Sequence, residues 1–379
     1  MTTMKKIQMV DLVGQYQGFK DELAESLNQI LETAAFINGP EVKALTQELA
    51  DYTGSRHVIP CANGTDALHI SMMALGLKPG DEVICPNFTY IATAEVIALL
   101  GLRLVLCDVE PDTFNLDPTK VEALITEKTR AIVPVHLYGQ CANMAALQAI
   151  ADKYKLFLIE DTAQAIGATY TYPDGRQQQA GTMGHCGSTS FYPSKNLGAY
   201  GDAGAIFTQD DTLAAEIRMI ANHGQQRQYY FDRVGVNSRL DSIQAAVLRC
   251  KLRRLDQYVD ARRSVAADYD SKLGGHPDLQ IPTRAPYSTH VFHQYTLQVK
   301  NGKREGLLEH LRSKDIPCVV FYPLPVHHNA PYADAQRFRD ADFPVTVRLT
   351  EEVLSLPMHT ELDEEQLAYI CREVLAYLG

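Results

Sequence analysis

The sequence predicts an α/β protein: a large domain on a mostly parallel, seven-stranded sheet, followed by a smaller C-terminal α+β domain. Three observations carry that prediction. Between residues 56 and 208, short apolar runs alternate with helix-like stretches. The runs are continuously apolar, the pattern of strands covered on both faces. Beyond about residue 255 the alternation stops, and a charged helical stretch leads into a proline-rich segment, one strand-like run and two helices. A chain of 379 residues is long for one core and suits two domains. We divide it at 1–255 and 256–379, with the N-terminal segment expected against the small domain.

Each element follows from a local pattern. Residues 18–34 and 41–52 read as helices. The apolar runs are HVIPC (57–61), DEVICP (81–86), RLVLCDV (103–109), AIVPVHL (131–137), LFLIED (156–161), STSFYP (188–193) and AGAIFT (203–208). Helical stretches at 65–76, 90–100, 142–154 and 211–222 separate most of them, as the crossovers of a parallel sheet require. In the C-terminal part, 251–273 reads as one long helix, FHQYTLQV (292–299) as a strand, and 303–314 and 363–378 as helices.

Composition narrows the function. Lys+Arg number 35 against 46 Asp+Glu, a formal charge of −11 with no basic stripe, which sets nucleic acid aside as a partner. The N-terminal MTTMKKIQMVDLVGQYQ lacks the apolar core of a signal peptide. No run of about 18 apolar residues is available to span a membrane. Cysteines 61, 85, 107, 141, 186, 250, 318 and 371 are scattered without a CxxC pair, which reads as buried, reduced thiols of a cytoplasmic protein. No HExxH or Cys/His cluster has zinc spacing. His327 and His328 are adjacent, and chain neighbours rarely converge on one ion, so no metal is expected.

Ligands of open α/β sheets gather outside the carboxyl ends of the strands. Asn63, Asn87, Asp108, Asp161 and Lys195 fall there. In ANGTDALHI, Gly64 permits a tight turn, and Thr65 enters the first turn of a helix whose free N–H groups suit a phosphate. The plainer reading is that Asn63 or Thr65 caps that helix. In LIEDTAQAIGA, Glu160 and Asp161 point to opposite faces. An acid ending an apolar strand needs a partner, either a helix start it caps or a buried cation such as the protonated ring nitrogen of pyridoxal 5'-phosphate (PLP). Lys195, in STSFYPSKNLGAYGDAG, is the matching amine. A pocket that limits hydration and a nearby cation would lower its pKa toward the working range. Ser188 and Ser190 are placed to face one cleft and bind phosphate. Against this, most lysines are surface residues; the strand end, the upstream acid and the glycine-rich exit loop oppose that reading together. Asn237 and Arg239 precede an apolar helix, where Arg239 is either an anion ligand or a partner of Asp241.

These pieces in this order resemble the DegT/DnrJ/EryC1/StrS family. The matching stretches are FINGPEV, CANGTDAL, GDEVICPNFTYIATA, PVHLYGQCA, IEDTAQAIGA, TSFYPSKNLGAYGDAGA, NHGQ, GVNSRLDSIQAA and YPLPVHH, which extend the likeness over roughly residues 8–360. The resemblance implies PLP fold type I (aspartate-aminotransferase-like) architecture and a PLP-dependent aminotransferase acting on a nucleotide-linked keto sugar. It implies that Lys195 forms the Schiff base and shuttles the proton, and that Asp161 keeps the pyridinium protonated. Gln164 then contacts the 3-hydroxyl side, Tyr90 stacks on the ring, and Gly64, Thr65 and Ser190 bind the phosphate. Asn237 reaches the phosphate of the neighbouring subunit's cofactor, which makes the active unit a homodimer. Arg239, Tyr322 and His327 lie toward the sugar nucleotide. L-glutamate is the implied amino donor.

The implied substrate is a UDP-linked 3-keto N-acetyl hexose or hexuronate, used in cell-surface polysaccharide or lipopolysaccharide biosynthesis. The alternative is a dTDP- or UDP-linked 4-keto or 3-keto 6-deoxy sugar. Ala203, Thr162 and Phe321 depart from the common family pattern, which has glycine, alanine and histidine there. A PLP-dependent sugar dehydratase on the same scaffold carries histidine in place of Lys195, and a regulatory relative has no need of Lys195, Asp161 and Gln164.

Overall fold

The computed structural model describes residues 5–379. Nine strands lie between residues 57 and 208: β1 (His57–Cys61), β2 (Glu82–Pro86), β3 (Arg103–Cys107), β4 (Thr129–Ile132), β5 (Phe157–Asp161), the small hairpin β6 (Thr169–Thr171) and β7 (Gln177–Gln179), β8 (Cys186–Ser190) and β9 (Gly204–Thr208). Seven of them form one sheet in the order β1-β9-β8-β5-β4-β2-β3. The sheet is parallel except for β9, which runs antiparallel to both β1 and β8.

The helices that connect and flank these strands are α1 (Leu12–Gln17), α2 (Lys20–Thr33), α3 (Pro40–Thr53), α4 (Gly64–Ala74), α5 (Ala92–Leu99), the single turn α6 (Pro118–Val121), α7 (Met144–Tyr154), α8 (Asp211–Ala221) and α9 (Ser242–Leu252). Strand alternation divides the core in two. Ile84 and Leu158 face the layer holding Leu45, Leu49 and Leu248. Their neighbours Val83, Cys85 and Ile159 face the layer holding Ile70, Val96 and Ile97. Both faces are covered, so the strands are apolar without interruption. Each fully buried aliphatic side chain contributes roughly 1.5–3 kcal/mol of transfer free energy.

After a hairpin of β10 (Gln225–Arg227) and β11 (Tyr230–Phe231), helix α10 (Leu255–Leu273) leads to the second core. The expected single helix over 251–273 is two: α9 closes at Leu252, and Arg254 leaves the helical region with φ −115° and ψ 1° before α10 starts. Leu255 and Val259 at the start of α10 join the large-domain core, whereas Val265, Ala266, Tyr269 and Leu273 join the small-domain core. That second core is completed by β12 (Leu279–Gln280), β13 (Tyr295–Val299), α11 (Arg304–Ser313), β14 (Val353–Leu356) and α13 (Glu364–Leu378), the strands forming a sheet ordered β12-β13-β14, whereas α12 (Pro344–Glu352) packs its Leu349 with Phe88, Val109 and Leu137. Ile7 packs in this core, and the Lys5 and Lys6 carbonyls accept from Gln366 Nε2. Conversely, Val326, Tyr332, Phe338 and Phe343 pack on the large domain.

β3 ends at Cys107 rather than 109 and β13 begins at Tyr295 rather than 292, and two further strands differ from the sequence reading, each for a local reason. β4 stops at Ile132 rather than 137, because Pro134 has no N–H for the ladder. β8 spans 186–190 rather than 188–193, because the chain turns at Tyr192, whose carbonyl accepts from the Lys195 N–H at 2.8 Å. No described helix is long and apolar enough to cross a membrane. All eight cysteines are buried and free, and burial pushes the Cys186 thiol up to about 12, far from reactive.

Candidate active site

The carboxyl ends of β1, β5 and β8 meet at one rim, and the antiparallel β9 begins there. Gly204 pairs with Cys61 on one side and Ser190 on the other. A Cβ on Gly204 would stand 2.5 Å from the Asn63 carbonyl, and one on Gly64 would stand 2.6 Å from Ser190 Cβ. The NGT turn therefore lies directly against Ser190, and both glycines are required by close approach rather than by unusual φ. Asn63 caps α4, its Oδ1 accepting from Asp66 N–H at 2.8 Å. The Gly64 and Thr65 amides at the helix start have no intramolecular partner among the described residues. Free N–H groups, the Thr65 hydroxyl and Ser190 form a cradle that fits a phosphate.

Lys195 follows on the turn after β8 and is partly buried. Burial pushes its amine down to about 8, and the Asp161 carboxylate opposes that shift. The expected helper cation is not among the causes; desolvation alone lowers it. Ser188 is also reassigned. It is 1 % exposed and donates to the Glu160 carbonyl at 3.1 Å, so only Ser190 reaches the cradle.

Asp161 is buried at the end of β5. Its Oδ2 accepts from Thr93 Oγ1 at 2.8 Å and its Oδ1 from Ala163 N–H at 3.2 Å. Glu160 points the other way and accepts four donors: His136 Nε2 at 2.8 Å and the amides of Gly181, Met183 and Gly184 at 2.8, 2.6 and 2.6 Å. The two acids thus divide into a framework carboxylate and a rim carboxylate. Gln164 bridges the domains, accepting from the Tyr138 N–H at 2.7 Å and donating to the Tyr322 hydroxyl at 3.0 Å. Tyr138 in turn donates to the Phe321 carbonyl. Tyr90, 59 % exposed, lies with its ring centroid 6.2 Å from that of Tyr322. The rim so gathers Lys195, Asp161, Gln164, Tyr90 and Tyr322 beside the Gly64–Thr65–Ser190 cradle.

Three sequence candidates stand apart. Asn237 is exposed and Arg239 half-buried, and neither side chain bonds within the chain among the described residues. Arg239 forms no ion pair with Asp241. Ser238 between them ties the segment to the NGT turn, donating to Asp66 Oδ2 at 2.6 Å and accepting from Ala62 N–H at 3.0 Å. His327 is buried with both ring nitrogens engaged. Asn87 Oδ1 accepts from the His327 backbone at 3.2 Å, so Asn87 Nδ2 donates to His327 Nδ1 at 2.8 Å. His327 Nε2 then donates to Asp340 Oδ1 at 2.9 Å, and His328 Nε2 meets the same oxygen at 2.6 Å. The adjacent histidines do converge, contrary to expectation, because a short 3-10 turn brings both rings onto one carboxylate; hydrogen bonds satisfy that arrangement. Asp108, another rim acid, is spent on Lys120 and the start of α12.

Sequence reasoning missed Thr93, His136 and Tyr138. The one legible signal was a hydroxyl inside the helical run IATAEVIALL, apolar elsewhere except for Glu95.

A lysine and a carboxylate on the carboxyl rim of a doubly covered sheet, beside a turn that fits a phosphate, match the arrangement of a fold type I PLP-dependent aminotransferase. The chain belongs to the DegT/DnrJ/EryC1/StrS aminotransferase family, whose profile matches residues 18–375. It is 45 % identical over 369 residues to the UDP-2-acetamido-2-deoxy-3-oxo-D-glucuronate aminotransferase of Pseudomonas aeruginosa, covering 96 % of this chain and 98 % of that one. It is 42 % identical to the UDP-N-acetyl-3-dehydro-alpha-D-glucosamine 3-aminotransferase of Acidithiobacillus ferrooxidans, over 98 % and 97 % of the two chains. The crystal structure of NtdA from Bacillus subtilis with bound cofactor PMP superposes with a TM-score of 0.89 at 28 % identity, covering 99 % of this chain and 86 % of that one.

Proposed function

We propose that this protein transfers an amino group from L-glutamate to a UDP-linked 3-keto N-acetyl hexose or hexuronate, in the cytoplasmic supply of an amino sugar for cell-surface polysaccharide or lipopolysaccharide. The observation that carries the reading is Lys195 at the end of β8, its amine lowered to about 8 on the rim it shares with Asp161. An amine with that value is available in its neutral form near physiological pH, which both nucleophilic attack and proton shuttling need. The relatives acting on UDP-linked 3-keto sugars support the substrate class.

PLP supplies an electron sink when bound. The chain's residues do the rest. Lys195 Nζ carries and moves the proton at the reacting carbon. Asp161 holds the ring nitrogen's proton through a charge-assisted hydrogen bond. Gly64, Thr65 and Ser190 hold the phosphate, Tyr90 covers one ring face, and Gln164 orients with Tyr322. Arg239 and Tyr322 are assigned to the sugar nucleotide.

We infer a homodimer with shared sites. Asn237 follows a hairpin whose Tyr229, Tyr230 and Phe231 are 78 %, 58 % and 60 % exposed, an apolar cluster suited to cover by a second copy. Mixing Lys195→Ala chains with Asn237→Ala chains should restore activity, because one site per mixed dimer keeps both residues; no recovery overturns the shared site. The substrate is tested by mass spectrometry of products from UDP- and dTDP-linked keto sugars with glutamate. Amination confined to a dTDP-linked sugar refutes the substrate assignment.

A further inference from the structure

Thr93 is completely buried in the first turn of α5. Helical threonines commonly return their hydroxyl to the carbonyl four residues back. Thr46 and Thr53 do so here, each at 2.7 Å, to Val42 and Leu49. Thr93 does not. Its Oγ1 reaches across to the neighbouring strand end and donates to Asp161 Oδ2 at 2.8 Å. The only other donor to that carboxylate among the described residues is the Ala163 N–H, at 3.2 Å on Oδ1. The terminal torsion of an aspartate is broad and weakly restrained. A hydroxyl fixed on a packed helix restrains it.

We propose that Thr93 is a positioning residue for Asp161, its hydroxyl fixing the plane of the carboxylate that faces the cationic ring nitrogen of the cofactor. The proposal rests on the reading of Asp161 given above. Valine has the shape of threonine without the donor, and serine has the donor without the methyl. Both substitutions leave Lys195 and the phosphate cradle untouched.

The test is titration of the apoprotein with pyridoxal 5'-phosphate, together with thermal melting of the apoprotein. Thr93→Val should weaken binding about tenfold, the effect of one hydrogen bond to a charged group. Thr93→Ser should bind within about threefold of the parent, because it keeps the donor. In an Asp161→Asn background the further loss from Thr93→Val should fall below about threefold, since the two residues act as one unit. Thr93→Val binding as tightly as the parent overturns the proposal, and so does an undiminished tenfold loss in the Asp161→Asn background. A lower apoprotein melting temperature with unchanged affinity also overturns it, as the mark of a merely structural role. If the valine variant does not fold, Thr93→Ser decides alone: retained affinity supports the proposal and a tenfold loss refutes it. A parent that fails to bind the cofactor, or an Asp161→Asn variant that binds as tightly as the parent, sinks the reading of the site and this proposal with it. A weakened Asp161→Asn beside an unaffected Thr93→Val sinks the proposal alone.

Discussion

Replacing Glu160 with glutamine should destabilise the rim from beneath. The side chain is completely buried, and all four groups around it are donors: His136 Nε2 and the amides of Gly181, Met183 and Gly184. His136 is a donor because its Nδ1 already accepts from the Ala142 N–H at 3.1 Å. A carboxylate is acceptor-only and satisfies all four. Glutamine keeps one oxygen and turns an NH2 toward the other pair. At least two hydrogen bonds to a charged acceptor are lost, each about 1.5–3 kcal/mol, which gives a destabilisation of roughly 3–6 kcal/mol. With an unfolding entropy of about 0.8 kcal/mol/K for 379 residues, the melting temperature should fall by about 4–8 °C. Calorimetry of the apoprotein, with the midpoint compared at fixed scan rate, reads this directly. A drop under about 1 °C would show that the site accommodates a donor and that the four-donor account is wrong.

Three further outcomes follow from the same geometry. Lys195 is charged below about pH 8 and neutral above it, so the rate at which apoprotein captures PLP should climb with pH to about 8 and then level; a flat rate from pH 6 to 9 contradicts the assignment. Gly64→Ala places a Cβ 2.6 Å from Ser190 Cβ, and overpacking of this kind costs about 1–3 kcal/mol; PLP titration should show binding weaker by roughly fivefold or more, and parental affinity would refute the tight cradle. Lys251 is 1 % exposed with its Nζ 4.6 Å from the Tyr200 ring centroid, and burial pushes it down to about 8. The unfolded chain keeps this proton up to about 10.5, so parental stability rises with pH between those values. Lys251→Met removes the charge penalty and should stabilise the protein by about 1–2 kcal/mol at pH 7, net of the lost cation–π contact, with the difference fading above about pH 10. Denaturant melts at pH 7 and 10 check this; equal differences at both pH values refute it.

Much of the candidate site was legible because it lies on strand ends. A buried parallel strand leaves few places for polar side chains, so Asp161 and Lys195 stand out against apolar runs. The NGT turn was equally plain, because glycine before a helix has a physical reason. Thr93 and His136 were not, since a threonine in a mostly apolar helix and a histidine two residues past a proline have many ordinary uses. Their partners lie 68 and 24 residues away along the chain.

By itself the sequence determined the alternation of buried strands and helices, and with it the rim on which Lys195, Asp161 and the NGT turn had to meet. Local periodicity suffices for that, because covered parallel strands admit little else. Tertiary structure alone decided how each polar group is spent. It gave Glu160 to the framework and Asp161 to the rim, turned Ser188 inward, broke the helix at 253–254, and engaged both nitrogens of His327. Those outcomes depend on hydrogen-bond partners supplied from distant segments, and no local pattern encodes them.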